Sequence, residues 1–375
     1  MAKLRSKFRE CLGQLLIVGF EGTEMTSRLR SMLGRIQPAG VILFARNIAS
    51  AQQTHKLLKD CQSCVSTPLF ACVDMEGGTV DRLRNVIGAS PAAADVFATG
   101  RRKLFHEHGA MIGKACRALG FNTDLAPVVD LASEISGAVM GSRVVSSNPR
   151  QATLYAREFL AGLRSAGMLG ALKHFPGLGA ADLDTHKELP EVNKSFRELW
   201  RQDIAPYLTL RRQAPMILVG HAAYPAVTRD RTPASLSKKW ITETLRKKVQ
   251  YRGLVISDDL EMGGVLQTVT VAQAAVEHIR AGGDIGLVCH REEHVLGAYE
   301  ALVTESERDA RFARRANESL ARVLAFKRRC EELKRRISTP TAAVVQKLSR
   351  ELWEFGEQVR MDSIGREVFS GPESA

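Results

Sequence analysis

The sequence predicts an α/β fold, a (β/α)8 TIM-type barrel with a C-terminal helical extension. Eight short apolar runs recur along the chain, most of them without alternation, and stretches of helical character lie between them. Continuous apolar runs are typical of parallel strands covered on both faces, and their alternation with helices favours strand–helix units. An open doubly wound sheet is less favoured, because the first run lacks the glycine-rich phosphate turn expected of that fold.

Each predicted strand is a short apolar run bounded by turn signals. The eight strands are predicted at 14–19, 41–45, 69–74, 124–130, 171–174, 216–221, 254–258 and 285–289. Stretches with helix-compatible composition between them include 51–64, 102–119, 151–166, 238–249 and 271–281. We predict one barrel domain over residues 1–337 and a C-terminal helical extension of unknown role over residues 338–375.

Composition narrows the class of protein. The chain has 375 residues, of which 45% are hydrophobic and 25% charged, as expected of a globular protein with a large core. No apolar run approaches the roughly 18–20 residues that cross a bilayer, so we expect no membrane span. The seven cysteines are an odd number in a long chain, which indicates reduced thiols and a cytoplasmic location.

Basic residues exceed acidic ones, with 53 Lys and Arg against 41 Asp and Glu and a net charge of +12. Ten of the basic residues lie between positions 311 and 336, where apolar residues recur at helical spacing. This pattern favours a solvated basic face on a C-terminal helix. The sequence therefore does not favour a nucleic-acid partner, and the alternative is a basic binding module on an inactive barrel.

Ionisable residues close several predicted strands. Asp74 ends the third, Lys173 and His174 end the fifth, His221 ends the sixth, and Asp258 with Asp259 ends the seventh. Active sites of such barrels lie at the C-terminal ends of the strands. Buried ionisable groups are costly without partners, so their convergence predicts an active site at this end of the barrel.

The loop after the fifth strand carries a further candidate pair, Asp184 and His186. A carboxylate two residues from an imidazole can orient the ring and raise its basicity, which makes His186 a candidate for proton transfer. A metal loop formed by Asp182, Asp184 and His186, or a merely solvated loop, are the alternatives. The sequence gives no reason to invoke a metal or an organic cofactor.

Five ordered motifs within about residues 10–290 resemble glycoside hydrolase family 3, and more narrowly the single-domain β-N-acetylglucosaminidases of peptidoglycan recycling. They are ILFARN at 42–47, DMEGGTVDRLR at 74–84, NTDLAPVVD at 122–130, KHFPGLGAADLDTHKELP at 173–190 and ISDDLEM at 256–262. The resemblance implies a retaining hydrolase that acts on terminal β-linked N-acetylglucosamine of muropeptides or chitooligosaccharides.

The resemblance also implies roles for individual residues. Asp258 would be the nucleophile, and His186 the acid/base with Asp184 as its orienting partner. The residues implied in gripping the sugar hydroxyls are Asp74, Arg82, Arg143, Lys173 and His174. The chain departs from the family pattern at Met75, Thr79 and Leu178, where Gln, Arg and His are usual. The alternative with the same site is a phosphorylase, and the sequence does not indicate an oligomeric state.

Overall fold

Eight parallel strands close into a barrel in chain order. The computed structural model describes residues 11–133, 140–180 and 189–369. The first strand pairs with both the second and the eighth, which closes the sheet and confirms the predicted barrel. The strands are β1 Leu16–Val18, β2 Gly40–Leu43, β3 Phe70–Val73, β4 Thr123–Asp124, β5 Leu169–Phe175, β6 Met216–Val219, β7 Leu254–Asp259 and β8 Ile285–Val288.

Helices surround this sheet. The helices are α1 Ser27–Ile36, α2 Ala51–Ser63, α3 Ala93–Ala98, α4 Arg102–Ala118, α5 Pro149–Ser165, α6 Phe196–Arg201, α7 Ala205–Leu210, α8 Pro225–Thr228, α9 Gly263–Leu266, α10 Val271–Ala281, α11 Glu292–Arg308, α12 Ala310–Arg329 and α13 Ala342–Phe369. Lys239–Lys248 forms a π-helix, and short 3-10 helices lie at Leu12–Leu15, Ala45–Asn47, Gly141–Arg143 and Ala234–Leu236. No helix within the described ranges is both long and apolar enough to cross a membrane.

Both faces of the strands are buried, which explains why the runs do not alternate. Along β1, Ile17 belongs to one buried cluster, whereas Leu16 and Val18 belong to another. The cluster that contains Ile17 includes residues from several strands around the barrel, such as Ile256 of β7, and the other extends onto the helices. The alternation inherent in a strand therefore divides its side chains between two apolar layers.

The predicted fourth strand, 124–130, is wrong in its extent. The regular strand is only Thr123–Asp124, and one further bridge joins Val128 to Lys173 of β5. Pro127 lies between these two pairings and has no N–H to donate to a neighbouring strand, so the regular ladder ends before it. The predicted helix at 238–249 is present but wound as a π-helix.

The C-terminal helices pack against the barrel. Helix α12 buries one face and directs Lys327 into the end where the strands begin. The Lys327 ammonium donates to Gln14 Oε1 and Ala39 O, both at 2.7 Å, and lies 5.0 Å from the centre of the Phe70 ring. Burial among neutral groups lowers the pKa of Lys327 to about 7. Helix α13 places Leu352 and Phe355 in the apolar layer beneath it.

Lys327→Met should change how stability depends on pH. Because the pKa of Lys327 is lower in the folded than in the unfolded chain, the unfolded chain binds more protons above the folded pKa. As the pH rises from about 7 to 10, the free energy of unfolding of the wild type should therefore increase relative to that of the variant, by up to about 1.4 kcal/mol per pH unit. Urea denaturation at several pH values measures the difference. Lys114→Met, at an exposed position of α4, is the control and should follow the wild-type profile. Parallel profiles for Lys327→Met and wild type would contradict the assignment.

Candidate active site

A cavity of about 520 Å³ opens at the C-terminal ends of the strands. Its wall includes six of the residues that the sequence singled out, namely Asp74, Arg82, Arg143, Lys173, His174 and Asp258. The structure therefore brings together residues that lie up to about 180 positions apart in the chain, as parallel strand ends in a barrel do. Asp184 and His186 lie outside the described residues.

Lys173 is the centre of a buried ionic network. Its side chain is 3% exposed, and its ammonium contacts Asp74 and lies 2.5 Å from Glu76 Oε1. Arg143 holds the same Glu76 carboxylate with two hydrogen bonds, of 2.7 and 2.8 Å. Arg82 lies 3.5 Å from Asp74. Two carboxylates and three cations thus form one connected group along one wall of the cavity.

The charges in this network support one another. Burial opposes ionisation of Glu76, but Lys173 and Arg143 hold the pKa of its carboxyl well below the usual range. Burial also disfavours the Lys173 ammonium, yet Asp74 and Glu76 raise its pKa above the ordinary value. The cations are therefore permanent hydrogen-bond donors near neutral pH. Such donors suit a polar, uncharged ligand with several hydroxyl groups.

Asp130 orients His174. Its carboxylate accepts hydrogen bonds from the backbone N–H of His174 at 3.2 Å and from the Nδ1 of the ring at 2.7 Å. Its other oxygen accepts from the backbone N–H of Leu178 at 2.7 Å, which ties the start of the following loop to the barrel. With Nδ1 donating to Asp130, the ring is held in one orientation with Nε2 available to a ligand. Sequence reasoning missed Asp130, although it closes the fourth predicted strand.

Asp258 lies at the end of β7 and is partly exposed to the cavity. The backbone N–H of Asp259 donates to its Oδ1 at 2.9 Å. Burial opposes its ionisation, but the nearby imidazoles of His174 and His221, together with this hydrogen bond, hold the pKa of Asp258 below its ordinary value. The carboxylate is therefore ionised near neutral pH, as a nucleophile or an electrostatic stabiliser must be.

His221 contacts the backbone at the end of β7. The ring is fully buried, with Nδ1 2.7 Å from Ser235 Oγ and Nε2 2.8 Å from the carbonyl oxygen of Asp259. Burial lowers the pKa of His221, so the ring is neutral near neutral pH. A neutral ring with Nε2 donating to the carbonyl and Nδ1 accepting from Ser235 satisfies both contacts.

An aromatic pair forms one side of the cavity mouth, and the sequence reasoning did not single it out. Phe44 stacks on His290 with ring centres 5.5 Å apart, and the Arg46 guanidinium lies 4.7 Å from the Phe44 ring centre. His290 Nε2 lies 3.1 Å from Asp259 Oδ2, and this hydrogen bond raises the pKa of His290. The sequence signal was confined to His290, which follows the eighth predicted strand, because Phe44 falls within the second predicted strand.

Comparisons with known proteins agree on one family. Residues 7–326 match the glycosyl hydrolase family 3 N terminal domain. A beta-hexosaminidase of Idiomarina loihiensis is 31% identical over 85% of this chain and 96% of its own. A beta-hexosaminidase of Pseudomonas aeruginosa is 35% identical over 73% of this chain and 82% of its own. A solved glycoside hydrolase family 3 beta-N-acetylglucosaminidase from Paenibacillus superposes with a TM-score of 0.85 at 30% identity, covering 92% of this chain and 68% of that one.

Glu76→Gln should destabilise the fold strongly while hardly changing the shape of the side chain. The substitution removes the negative charge shared by two buried cations, so we expect a loss of about 3–5 kcal/mol in the free energy of unfolding. Urea denaturation at neutral pH measures it. The matched control is Glu300→Gln, which removes one partner of an exposed ion pair with Arg35 and should cost at most about 1 kcal/mol. Equal losses in the two variants would contradict a special role for the buried network.

Proposed function

The chain belongs to glycosyl hydrolase family 3, and we propose that it removes terminal β-linked N-acetylglucosamine through a covalent intermediate on Asp258. The relatives named above are beta-hexosaminidases and a beta-N-acetylglucosaminidase, which supports hydrolysis of β-N-acetylhexosaminides. The observation that carries the proposal is the ionised Asp258 carboxylate, which shares one cavity with a fixed set of hydrogen-bond donors.

Two displacements at the anomeric carbon account for the reaction. In the first, an Asp258 oxygen attacks the anomeric carbon while the bond to the leaving oxygen breaks and that oxygen takes a proton from His186. In the second, His186 takes a proton from water, the water oxygen attacks the anomeric carbon, and Asp258 leaves as a carboxylate. Retaining glycosidases usually use two carboxylates for these roles.

The sugar would be held by the ionic network. Lys173 and Arg143 offer N–H donors, and the Asp74 carboxylate accepts hydrogen bonds from hydroxyls, so a ring with several hydroxyl groups can be bound in one orientation. Arg82 and His174 line the same cavity and complete the proposed set. Because the donors already hold fixed positions through Glu76 and Asp130, little ordering is needed on binding.

We assign proton transfer to His186, with Asp184 as its orienting partner, on the family resemblance of the loop that carries them. An imidazole has an ordinary pKa of about 6.5, so it can donate in the first step and accept in the second near neutral pH. Asp258, by contrast, stays ionised because its pKa is lowered. The reaction needs one group that changes its protonation state, His186, and one that stays ionised, Asp258.

The substrate we propose is a muropeptide derived from peptidoglycan, or a chitooligosaccharide, bound in the cytoplasm. A reducing compartment is supported by the cysteines, since all seven lie within the described ranges and none of them forms a disulfide there. The aromatic pair of Phe44 and His290 lies at the cavity mouth, where the remainder of a longer substrate would leave the sugar site.

Asp258→Ala should abolish turnover. Without the nucleophile, release of 4-nitrophenol from the N-acetylglucosaminide should fall by at least about 10³-fold. Asp95→Ala, which removes an exposed carboxylate on α3, is the control and should retain wild-type kinetics. In the wild type, a slow fluorinated sugar should label the peptide that spans residues 254–262, as mass spectrometry would show. Wild-type turnover by the Asp258 variant, or accumulation of a sugar 1-phosphate when phosphate is present, would contradict the proposed hydrolysis.

His186→Ala should affect substrates according to their leaving group. Protonation of the leaving oxygen matters little for 4-nitrophenol and much for a sugar alcohol, so the first step should be spared with the aryl glycoside and slowed with a natural disaccharide. Steady-state kcat/KM for both substrates measures the effect, with His106→Ala on α4 as the control. Equal losses on the two substrates would argue against an acid role for His186.

A further inference from the structure

A second cavity, of about 660 Å³, lies at the opposite end of the barrel. Its wall is formed by Leu169 at the start of β5, by the segments that lead into β6 and β7, and by α12 with the residues that follow it. None of its lining residues lines the cavity that holds Asp258. Any ligand bound here would therefore leave the proposed sugar site unobstructed.

Five arginines line this cavity against a single carboxylate, that of Glu332. The arginines come from three separate segments of the chain and are Arg211, Arg212, Arg252, Arg322 and Arg329. Because they converge on one cavity rather than following one helix face, their positive potential is concentrated there. The basic C-terminal helix noted in the sequence contributes only Arg322 and Arg329 to this group.

Several of these guanidinium groups have no acidic partner among the residues that the structure describes. Arg212 and Arg252 are exposed, and within the described part of the chain neither guanidinium makes an ion pair or a hydrogen bond. Arg211 contacts the carbonyl oxygen of Leu208, and Arg329 donates to the carbonyl oxygen of Ala325 at 3.2 Å. These four groups therefore retain both net charge and free N–H donors.

The carboxylate that pairs with the fifth arginine, Arg322, does not offset the positive charge of the cavity. Arg322 pairs with the buried Asp284, but Arg246 also pairs with that carboxylate, and Arg315 lies 3.8 Å from it. Arg315 also pairs with Glu318, so three guanidinium groups face two carboxylates, which leaves one positive charge in excess behind the cavity wall. An anion in the cavity would be attracted by this excess as well as by the four unpaired groups.

The remaining lining is mixed, since Gln213 and Gln250 lie beside several apolar residues. Pro215, Ala325 and Phe326 contribute to the wall, and the Phe326 ring packs against Phe70 with centres 6.0 Å apart. The Phe70 ring is buried in the barrel and holds Phe326 in place. Phe326 can therefore present a fixed surface to the flat ring of a ligand. Guanidinium groups bind phosphate through paired hydrogen bonds and also stack on flat rings.

We propose that this cavity binds a small organic phosphate that carries a flat ring, with the size and chemistry of a nucleoside diphosphate. The arginines would hold the phosphates, and the apolar wall with Phe326 would contact the ring. A volume of 660 Å³ falls within the range of about 300–1,000 Å³ found for small-molecule sites. The site would serve binding rather than glycoside cleavage, and it does not depend on the proposed role of Asp258.

The test measures binding to the full chain by isothermal titration calorimetry at low and at physiological salt. The probes are ADP, adenosine, inorganic pyrophosphate and a single-stranded RNA oligonucleotide. The variant Arg212→Gln/Arg252→Gln removes the two exposed, unpaired guanidinium groups. The control Arg308→Gln/Arg314→Gln removes the same charge from exposed positions outside the cavity wall. Release of 4-nitrophenol from the N-acetylglucosaminide, which should be unchanged in both variants, reports that they are folded.

We expect wild type and control to bind ADP alike, and the cavity variant to bind it at least about tenfold more weakly. Adenosine and pyrophosphate should each bind more weakly than ADP, because each lacks one half of the recognised group. Equal ADP affinity in the two double variants, or the absence of ADP binding to wild type, would overturn the proposal. Equal affinity for pyrophosphate and ADP, or RNA bound in preference to ADP, would overturn the assignment to a nucleotide-sized organic phosphate.

Discussion

The buried charge of the Lys173 ammonium must be neutralised by nearby carboxylates, and this requirement determines the shape of the candidate active site. Lys173 projects from β5 into a wall where water cannot solvate its ammonium, so Asp74 and Glu76 must lie beside it. Glu76 in turn accepts both hydrogen bonds from Arg143, which fixes the short helix Gly141–Arg143 against the barrel. The side chains that line the candidate active site are thus positioned by mutual neutralisation, and a change in any one alters its neighbours.

Two carboxylates near the same end of the barrel show how environment separates their chemistry. Asp258 faces the cavity near imidazole groups and a backbone N–H, and its pKa is lowered. Asp124, at the end of β4, accepts one hydrogen bond from Met75 N at 3.0 Å, while its second oxygen has no partner among the described residues. Burial raises the pKa of Asp124 well above the ordinary value. Their surroundings therefore shift the pKa values of the two carboxyl groups in opposite directions, although both residues lie at strand ends.

Short continuous apolar runs were sufficient to predict the eight strands, because the position of a buried run depends on local composition. The end of a strand depends on which neighbour accepts its hydrogen bonds, and this is why the fourth strand was predicted too long across Pro127. Residues at strand ends, such as Asp74 and Lys173, could be singled out in the same way. Asp130 closes the fourth predicted strand and was nevertheless not singled out, whereas Phe44 and His290 were missed because their contact joins residues far apart in the chain. No local pattern encodes such a contact.

The two ends of the barrel hold buried lysines whose pKa values are shifted in opposite directions. The two ends therefore differ in the charge that their buried lysines carry. Lys173 lies against carboxylates, so its pKa is raised and it stays charged. Lys327 has only neutral oxygens and a ring around its ammonium, so burial dominates and its pKa falls to about 7. Burial alone therefore does not decide whether a lysine carries charge; the sign and number of its neighbours do. At the end that holds the candidate active site, the raised pKa keeps Lys173 charged near neutral pH. At the opposite end Lys327 loses its charge near neutrality, so surface arginines are the source of permanent positive potential there.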